Sequence, residues 1–180
     1  MNRPRHESSH EAGLAIRELL IVLFVIAVLA AVVSGITSTP DNFRTQSMCA
    51  DNIHQLATAI QMYCADHGGT FPKAQSWNDD LLPYTKTSSA FFCPRVWSKS
   101  RPTYAINGAV SGINEKDVPK PDILISLFDS IPGKNLSGGP ELLPAPPRHM
   151  NGENFAFADG HVKCHTRTSS SRELMWDVSK

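Results

Sequence analysis

Four cysteines and a run of imidazoles and carboxylates in the C-terminal third are the side chains of this 180-residue chain whose types suit chemistry. Asp129, His149, Glu153, Asp159, His161 and His165 carry nitrogen and oxygen donors of the kind that hold zinc and similar ions. Their spacing suits a shared ion poorly. Asp159 is followed by Gly160, and an Asp-Gly pair between two apolar stretches reads as a two-residue type I′ turn, which accounts for the aspartate without a metal. On the return strand His161 and His165 fall on one face and Cys164 on the other, so the thiol and the imidazoles do not converge. The expected role of His149 is a structural hydrogen bond to the hairpin or to the loop before it. No metal and no cofactor is expected. Enzymatic activity is not expected either, because G-x-S-x-G, H-E-x-x-H and a phosphate-binding glycine loop are all missing from the sequence.

These side chains need elements to hold them. "SMCADNIHQLATAIQMYCADHGG" places Cys49, Ile53, Leu56, Ile60 and Tyr63 or Cys64 at intervals of three and four, one apolar stripe of an amphipathic helix, and Gly68-Gly69 supplies its stop. His54 falls on the polar side and His67 at the helix end, where solvation explains both. "NFAFADGHVKCHT" alternates aromatics with alanines and returns at once, which predicts a hairpin pairing Phe157 with Val162 and Phe155 with Cys164. The resulting face of two aromatics, a valine and a thiol calls for a helix to cover it. "SWNDDLLPY" reads as a short helix, with Ser76 and Asp79 in capping-box spacing. "TYAIN" and "DILISLFDS" read as strands, and Ile131 to Pro147 reads as a long loop. The fold class expected is α+β, with a helix over a small antiparallel sheet.

Cysteine arithmetic allows three complete pairings. Cys49 and Cys64 are fifteen residues apart on one helix, ~22 Å of rise, which is far beyond the ~7 Å limit between bridged Cα atoms. Two connectivities then remain. The preferred one joins Cys64 to Cys164 and Cys49 to Cys93; the other joins Cys49 to Cys164 and Cys64 to Cys93. Buried thiols without any bridge are the third possibility, since cysteine is at home in a core.

Ahead of the head lies a different kind of segment. From Leu19 to Ile36 there are eighteen residues without a charge, spanning roughly 27 Å as a helix, close to the hydrocarbon thickness of a bilayer. A secretory signal has a shorter apolar region, of about 7 to 15 residues, and a core helix would be apolar along one stripe only. The run therefore predicts a single membrane span. Glu18 stands at its mouth, where a carboxylate entering the bilayer costs roughly 2.5 to 3.5 kcal/mol without a partner. Lys and Arg total 17, as do Asp and Glu, so no basic surface argues for nucleic acid as a partner. Pro40, within "TSTPDNFRTQS", predicts a break before the head.

The order Gly13, Leu14, Ala15, Ile16, Arg17, Glu18 and then the apolar run resembles the class III signal of type IV pilins and type II secretion pseudopilins. The resemblance implies cleavage after Gly13 by a prepilin peptidase, methylation of the new amino terminus at Leu14, and Glu18 as the fifth mature residue. It further implies that Glu18 is neutralised by the amino terminus of a neighbouring subunit as helices pack into a filament. Arg17 departs from the pattern, standing where the family carries an uncharged residue. "RHMNGENFAFADGHV" sets His149 ten residues before Asp159-Gly160, and this is similar to the H-x9-D-G motif of a large pilin-like group with the same leader type. "FFCP" and "TYAIN" look like that group's Cys-Pro and Tyr-x-x-Asn segments. Calcium binding in major pseudopilin heads would make Asp129, Glu153 and Asp159 oxygen candidates, although no compact calcium loop is visible. The layout implied is a leader over 1–13, a transmembrane and assembly helix over 14–36, a hinge over 37–47, a pilin-like head over 48–168 and a tail over 169–180. The partners implied are the prepilin peptidase, other pilin or pseudopilin subunits, an inner-membrane assembly platform and the lipid bilayer. The leader, with Arg3 and Arg5, would stay cytoplasmic and the head would be extracytoplasmic. The alternative is a membrane-anchored extracytoplasmic binding module that does not polymerise.

Overall fold

The apolar run lies in helix α1, Ser9–Thr37. The structure, a computed structural model, describes residues 9–37, 41–96, 100–149, 152–166 and 174–178. The chain divides into two compact units, Met1–Asp41 and Asn42–Lys180. In the first unit the described side chains of α1 run from 16 to 32 and all are exposed, with Leu19, Leu20, Phe24 and Leu29 between 58% and 70%. Apolar residues thus point outward on every face. No helix among the described residues is long and apolar enough to cross a membrane. The last four residues of the charge-free run, 33–36, have side chains outside the described set. Residues 38–40, with the predicted break at Pro40, lie outside it altogether.

The second unit is an α+β head. Helix α2, Asp41–Asp66, buries the predicted stripe of Cys49, Ile53, Leu56, Ile60 and Cys64, together with Ala57 and Ala59. It starts inside the segment expected to be a hinge. Its end is closed by the two glycines: Gly68 and Gly69 take φ of +64° and +83°, and the Gly69 amide donates to the Cys64 carbonyl at 2.7 Å. That is the six-to-one bond of a Schellman stop, and the left-handed backbone it needs favours glycine. Helix α3, Trp77–Leu81, follows. The Ser76 hydroxyl donates to Asp80 at 2.7 Å and makes no cap bond, so the capping box expected with Asp79 is not formed.

Five strands make one sheet: β1, Tyr104–Asn107; β2, Ile125–Asp129; β3, Ser137–Gly138; β4, Glu153–Phe157; and β5, Val162–His165. Their order is β3-β1-β2-β4-β5. Three pairings are antiparallel, but β3 runs parallel to β1, with Ile106 opposite Ser137. The sheet is therefore mixed where an antiparallel one was expected. The cause is the long loop after β2, which crosses the end of β1 and sets down two residues on its far side.

Both faces of the sheet are covered. On one, Tyr104, Ile106, Leu124, Leu127 and Ala156 pack under α2 with Trp77 and Phe91. On the other, Ala105, Ile125, Phe128, Phe155 and Phe157 are covered by Leu136, Leu142, Leu143, Leu174 and Trp176. A register shift between Ile125 and Leu127 lets residues three apart share a face, so Leu124 and Leu127 look one way and Ile125 and Phe128 the other. The C-terminal segment is held by the Ile125 amide donating to the Met175 carbonyl at 2.9 Å and by the Met175 amide donating to the Ile123 carbonyl at 2.8 Å. Trp176 then meets Phe128 and Phe155 edge-on. Part of the stretch expected to be a tail is thus a strap over the sheet.

The hairpin corrects the expected register. The Phe157 amide donates to the His161 carbonyl and the Gly160 amide to the Phe157 carbonyl, both at 2.9 Å, and Gly160 has φ of +91°. The loop is the three residues Ala158, Asp159 and Gly160, ending in a left-handed glycine, not a two-residue type I′ turn. Asn154 therefore faces Cys164, Phe155 faces Lys163 and Ala156 faces Val162. One extra loop residue shifts the return strand by one, which moves its side chains to the opposite face. Phe155 and Phe157 consequently lie under the C-terminal strap, while Cys164 lies on the side of α2.

Candidate functional site

The two halves of H-x9-D-G sit at opposite ends of β4. At the open end, where β4 begins, a polar cluster is buried at the ends of β1 and β2. Arg148 donates through Nη1 to Asp129 Oδ1 at 3.0 Å and to the Thr103 carbonyl at 3.1 Å, and through Nη2 to the Ser130 carbonyl. Asp129 Oδ2 accepts from the Asn154 backbone amide at 2.8 Å and from Asn154 Nδ2 at 3.0 Å. Glu153 Oε1 accepts from the Arg148 backbone amide at 3.1 Å. Asp129 and Glu153 are fully buried, so one guanidinium stands against two carboxylates in a site without bulk water. The guanidinium pairs with Asp129 through Nη1 alone and is otherwise held by the two carbonyls. Burial, and next the charge of Asp129, push the Glu153 carboxyl up to about 7. The Tyr104 phenol, behind the same cluster, is raised for the same two reasons.

His149 belongs to this cluster and not to the hairpin tip. Its Nε2 lies 3.5 Å from Asp129 Oδ2 and 3.9 Å from Cys93 Sγ, and its Nδ1 has no partner among the described residues. The His149 carbonyl accepts from the Gly152 amide at 3.3 Å in the loop before β4, while the imidazole itself lies against β2 and Cys93. The reason is length: His149 precedes β4, so it meets the end of the sheet that lies farthest from the turn. Gly152, between them, has φ of +120°, and a Cβ there would stand 2.1 Å from the His165 carbonyl oxygen. No side chain fits at that approach. Arg148, Gly152 and Asn154 were not anticipated from the sequence, and an arginine directly before the motif histidine was the available signal.

At the other end, Asp159 Oδ1 accepts from the His161 amide at 3.1 Å and is bonded to His161 Nδ1 at 2.7 Å, while the imidazole stacks on Phe157 with centroids 4.2 Å apart. Gln61 of α2 donates to the Ala158 carbonyl at 3.1 Å, and a Cβ on Gly160 would stand 3.1 Å from Gln61 Cγ. Gly160 thus serves the turn and the approach of the turn to α2. The oxygen candidates for calcium do not converge: Asp129 and Glu153 meet at Arg148, and Asp159 lies at the far end of the sheet with His161. His165 is also buried, within reach of Phe155 and Phe157.

Cys49 and Cys93 form a disulfide with Cα atoms 5.1 Å apart, joining α2 to the segment before β1. The bridge expected between Cys64 and Cys164 is not formed. Because the hairpin tip meets α2 at Gln61, its open end lies toward the start of that helix, and Gln46 Nε2 donates to Cys164 Sγ at 3.3 Å. Cys64 is eighteen residues, ~27 Å of rise, beyond Gln46. The layer was read correctly and the end of it was not. Burial raises both thiols, Cys64 to about 11.

Gly13 and Leu14 lie within α1, and their surroundings fall outside the described residues. Arg17 and Glu18 are exposed, and among the described residues Glu18 forms no ion pair. Among the described residues one group of three metal-competent side chains has ligand atoms within 4.8 Å of one another, namely Cys49, Cys93 and His149, two of which are tied in the disulfide. No family model, curated protein or solved structure matches the chain.

Proposed function

We propose that the chain is a pilin-like structural subunit, a pseudopilin or minor pilin of a type II secretion or type IV pilus-like filament. It would be cleaved after Gly13 and assembled through its N-terminal helix from the inner membrane, with the head outside the cytoplasm. One observation carries this reading: α1 exposes large apolar residues on every face directly after Gly13 and Glu18. Such a surface is stable only in lipid or against other apolar helices. A filament supplies both in turn, first the bilayer and then the helices of neighbouring subunits. Glu18, exposed at the start of this surface, is then positioned to meet a neighbour's amino terminus. A head tied to its helix by a disulfide and a turn-to-helix contact supports a part that is moved as one body.

Co-expression with a prepilin peptidase, followed by mass spectrometry of the membrane fraction, should find Leu14 at the amino terminus. Glu18→Ala should be cleaved and inserted normally while entering filaments less. An uncut chain with intact Met1 refutes the processing, and undiminished incorporation of Glu18→Ala favours an anchor that does not polymerise.

A further inference from the structure

His149 is 3% exposed, yet neither ring nitrogen has a hydrogen bond of ordinary length. Nδ1 has no partner among the described residues, and the nearest groups to Nε2 are Asp129 Oδ2 at 3.5 Å and Cys93 Sγ at 3.9 Å. N–H···O bonds are normally 2.7 to 3.2 Å long. The separation from Cys93 Sγ is, however, close to the one expected between two ligands of one ion. With Zn–S of about 2.3 Å and Zn–N or Zn–O of about 2.0 to 2.2 Å, tetrahedral ligands stand roughly 3.3 to 3.8 Å apart. Cys49, Cys93 and His149 already bring their ligand atoms within 4.8 Å of one another. The two sulfurs are bonded to each other, and Asp129, outside that group of three, already accepts through Oδ2 from the Asn154 amide and Nδ2.

The geometry points to a second occupant of this position: when the Cys49–Cys93 disulfide is reduced, the two thiolates and His149 Nε2, with a water as the fourth donor, bind a soft divalent cation of the zinc class. The two states balance in atoms and charge. A dithiol or phosphine reductant delivers two electrons, the S–S bond breaks, and two protons are taken up to give two thiols. The incoming cation then displaces those two protons as two metal–sulfur bonds form. Its two charges are met by the two thiolates, and Asp129 remains matched by Arg148, so no uncompensated charge is buried. The Cα separation of 5.1 Å permits the sulfurs to part to about 3.8 Å by side-chain rotation. Bridge and ion are mutually exclusive, and each ties α2 to the segment ahead of β1. The ion adds the loop that carries His149. A head without its disulfide would thus keep the same junction closed by metal, and oxidation would expel the ion.

The test uses the full chain in detergent, carrying Cys64→Ser and Cys164→Ser so that Cys49 and Cys93 are the only thiols. The reduced and the oxidised protein are each titrated with Co²⁺ and then with Zn²⁺. The reduced form should bind one Co²⁺ per chain, with thiolate-to-cobalt charge transfer and the intense visible bands of a tetrahedral site. Zn²⁺ should displace the cobalt, and air oxidation should release it. The oxidised form should show none of these bands. His149→Asn in the same background should weaken binding by at least the roughly 10- to 100-fold that losses around a metal site cost. Where that variant does not fold, X-ray absorption of the zinc-loaded parent should show two sulfurs and at least one imidazole. Absence of the charge-transfer band, unchanged affinity in His149→Asn, a metal shell without imidazole, or unfolding on reduction that Zn²⁺ does not reverse would each overturn the assignment.

Discussion

Replacing Glu153 with glutamine should stabilise the head at alkaline pH and leave it nearly unchanged in acid. Glu153 is fully buried, accepts from the Arg148 backbone amide, and lies close to the charge of Asp129, which the Arg148 guanidinium contacts. The carboxyl therefore keeps its proton up to about 7 in the folded chain, against an ordinary value of 4.5. The sign follows from proton counting. Between these two values the folded state binds more protons than the unfolded one, so stability falls as pH rises, and above about 7 the loss is complete. A difference of roughly 2.5 pH units, at about 1.4 kcal/mol each, sets the loss at no more than about 3.5 kcal/mol. Glutamine retains an oxygen for the Arg148 amide and cannot ionise, which makes it a mimic of the protonated acid. Urea unfolding of both chains in detergent, followed by tryptophan fluorescence at pH 4, 6 and 8, isolates this term, because every other titrating group cancels in the difference. The variant should match the parent at pH 4 and exceed it at pH 8, by a margin approaching ~3.5 kcal/mol. A difference that is constant with pH, or one that grows toward acid, would refute the reading of Glu153 as a carboxyl that burial and the charge of Asp129 keep protonated up to about 7.

Three further outcomes follow from the same geometry. Gly160→Ala should cost about 1 to 3 kcal/mol in urea unfolding, because φ of +91° disfavours any side chain and the new Cβ would crowd Gln61; an effect within 0.5 kcal/mol would mean that the turn does not depend on this approach to α2. Peptide mapping without reduction should recover a Cys49–Cys93 peptide, with Cys164 alkylated in the folded chain and Cys64 only after unfolding, in line with their exposed and buried positions. Cys93→Ser should then cost about 4 kcal/mol, the chain-entropy value for a separation of 44 residues, under oxidising and metal-free conditions.

What the sequence disclosed and what it concealed divide along a physical line. The helix stripe from Cys49 to Cys64, the Gly-Gly stop and the apolar strands were legible because each rests on local periodicity or on backbone freedom at one residue. The hairpin was legible as a hairpin but not in register, because Asp159-Gly160 fits both a two-residue turn and the end of a three-residue one, and that choice turns on how Gly160 meets Gln61. A single step of register put Phe155 and Phe157 on the strap side, opposite Cys164; the Cys64–Cys164 pairing fails for a separate reason, because the hairpin tip meets α2 at Gln61 and its open end, with Cys164, lies at Gln46 near the start of that helix. The polar cluster was hidden for a stronger reason: Asp129, Arg148, Glu153 and Asn154 look like ordinary surface residues until the sheet ends bring them together. The interval between His149 and Asp159-Gly160 in this chain becomes intelligible through them. Five residues of β4 span ~17 Å, and Cys49 and Gln61, twelve residues apart on α2, stand ~18 Å apart. His149 beside the Cys49–Cys93 bridge and Gly160 against Gln61 therefore hold the two ends of one strand to two matching points on one helix. Inserting or deleting a residue between them would break the fit at one end, so the spacing measures the length over which the head is fastened to its helix.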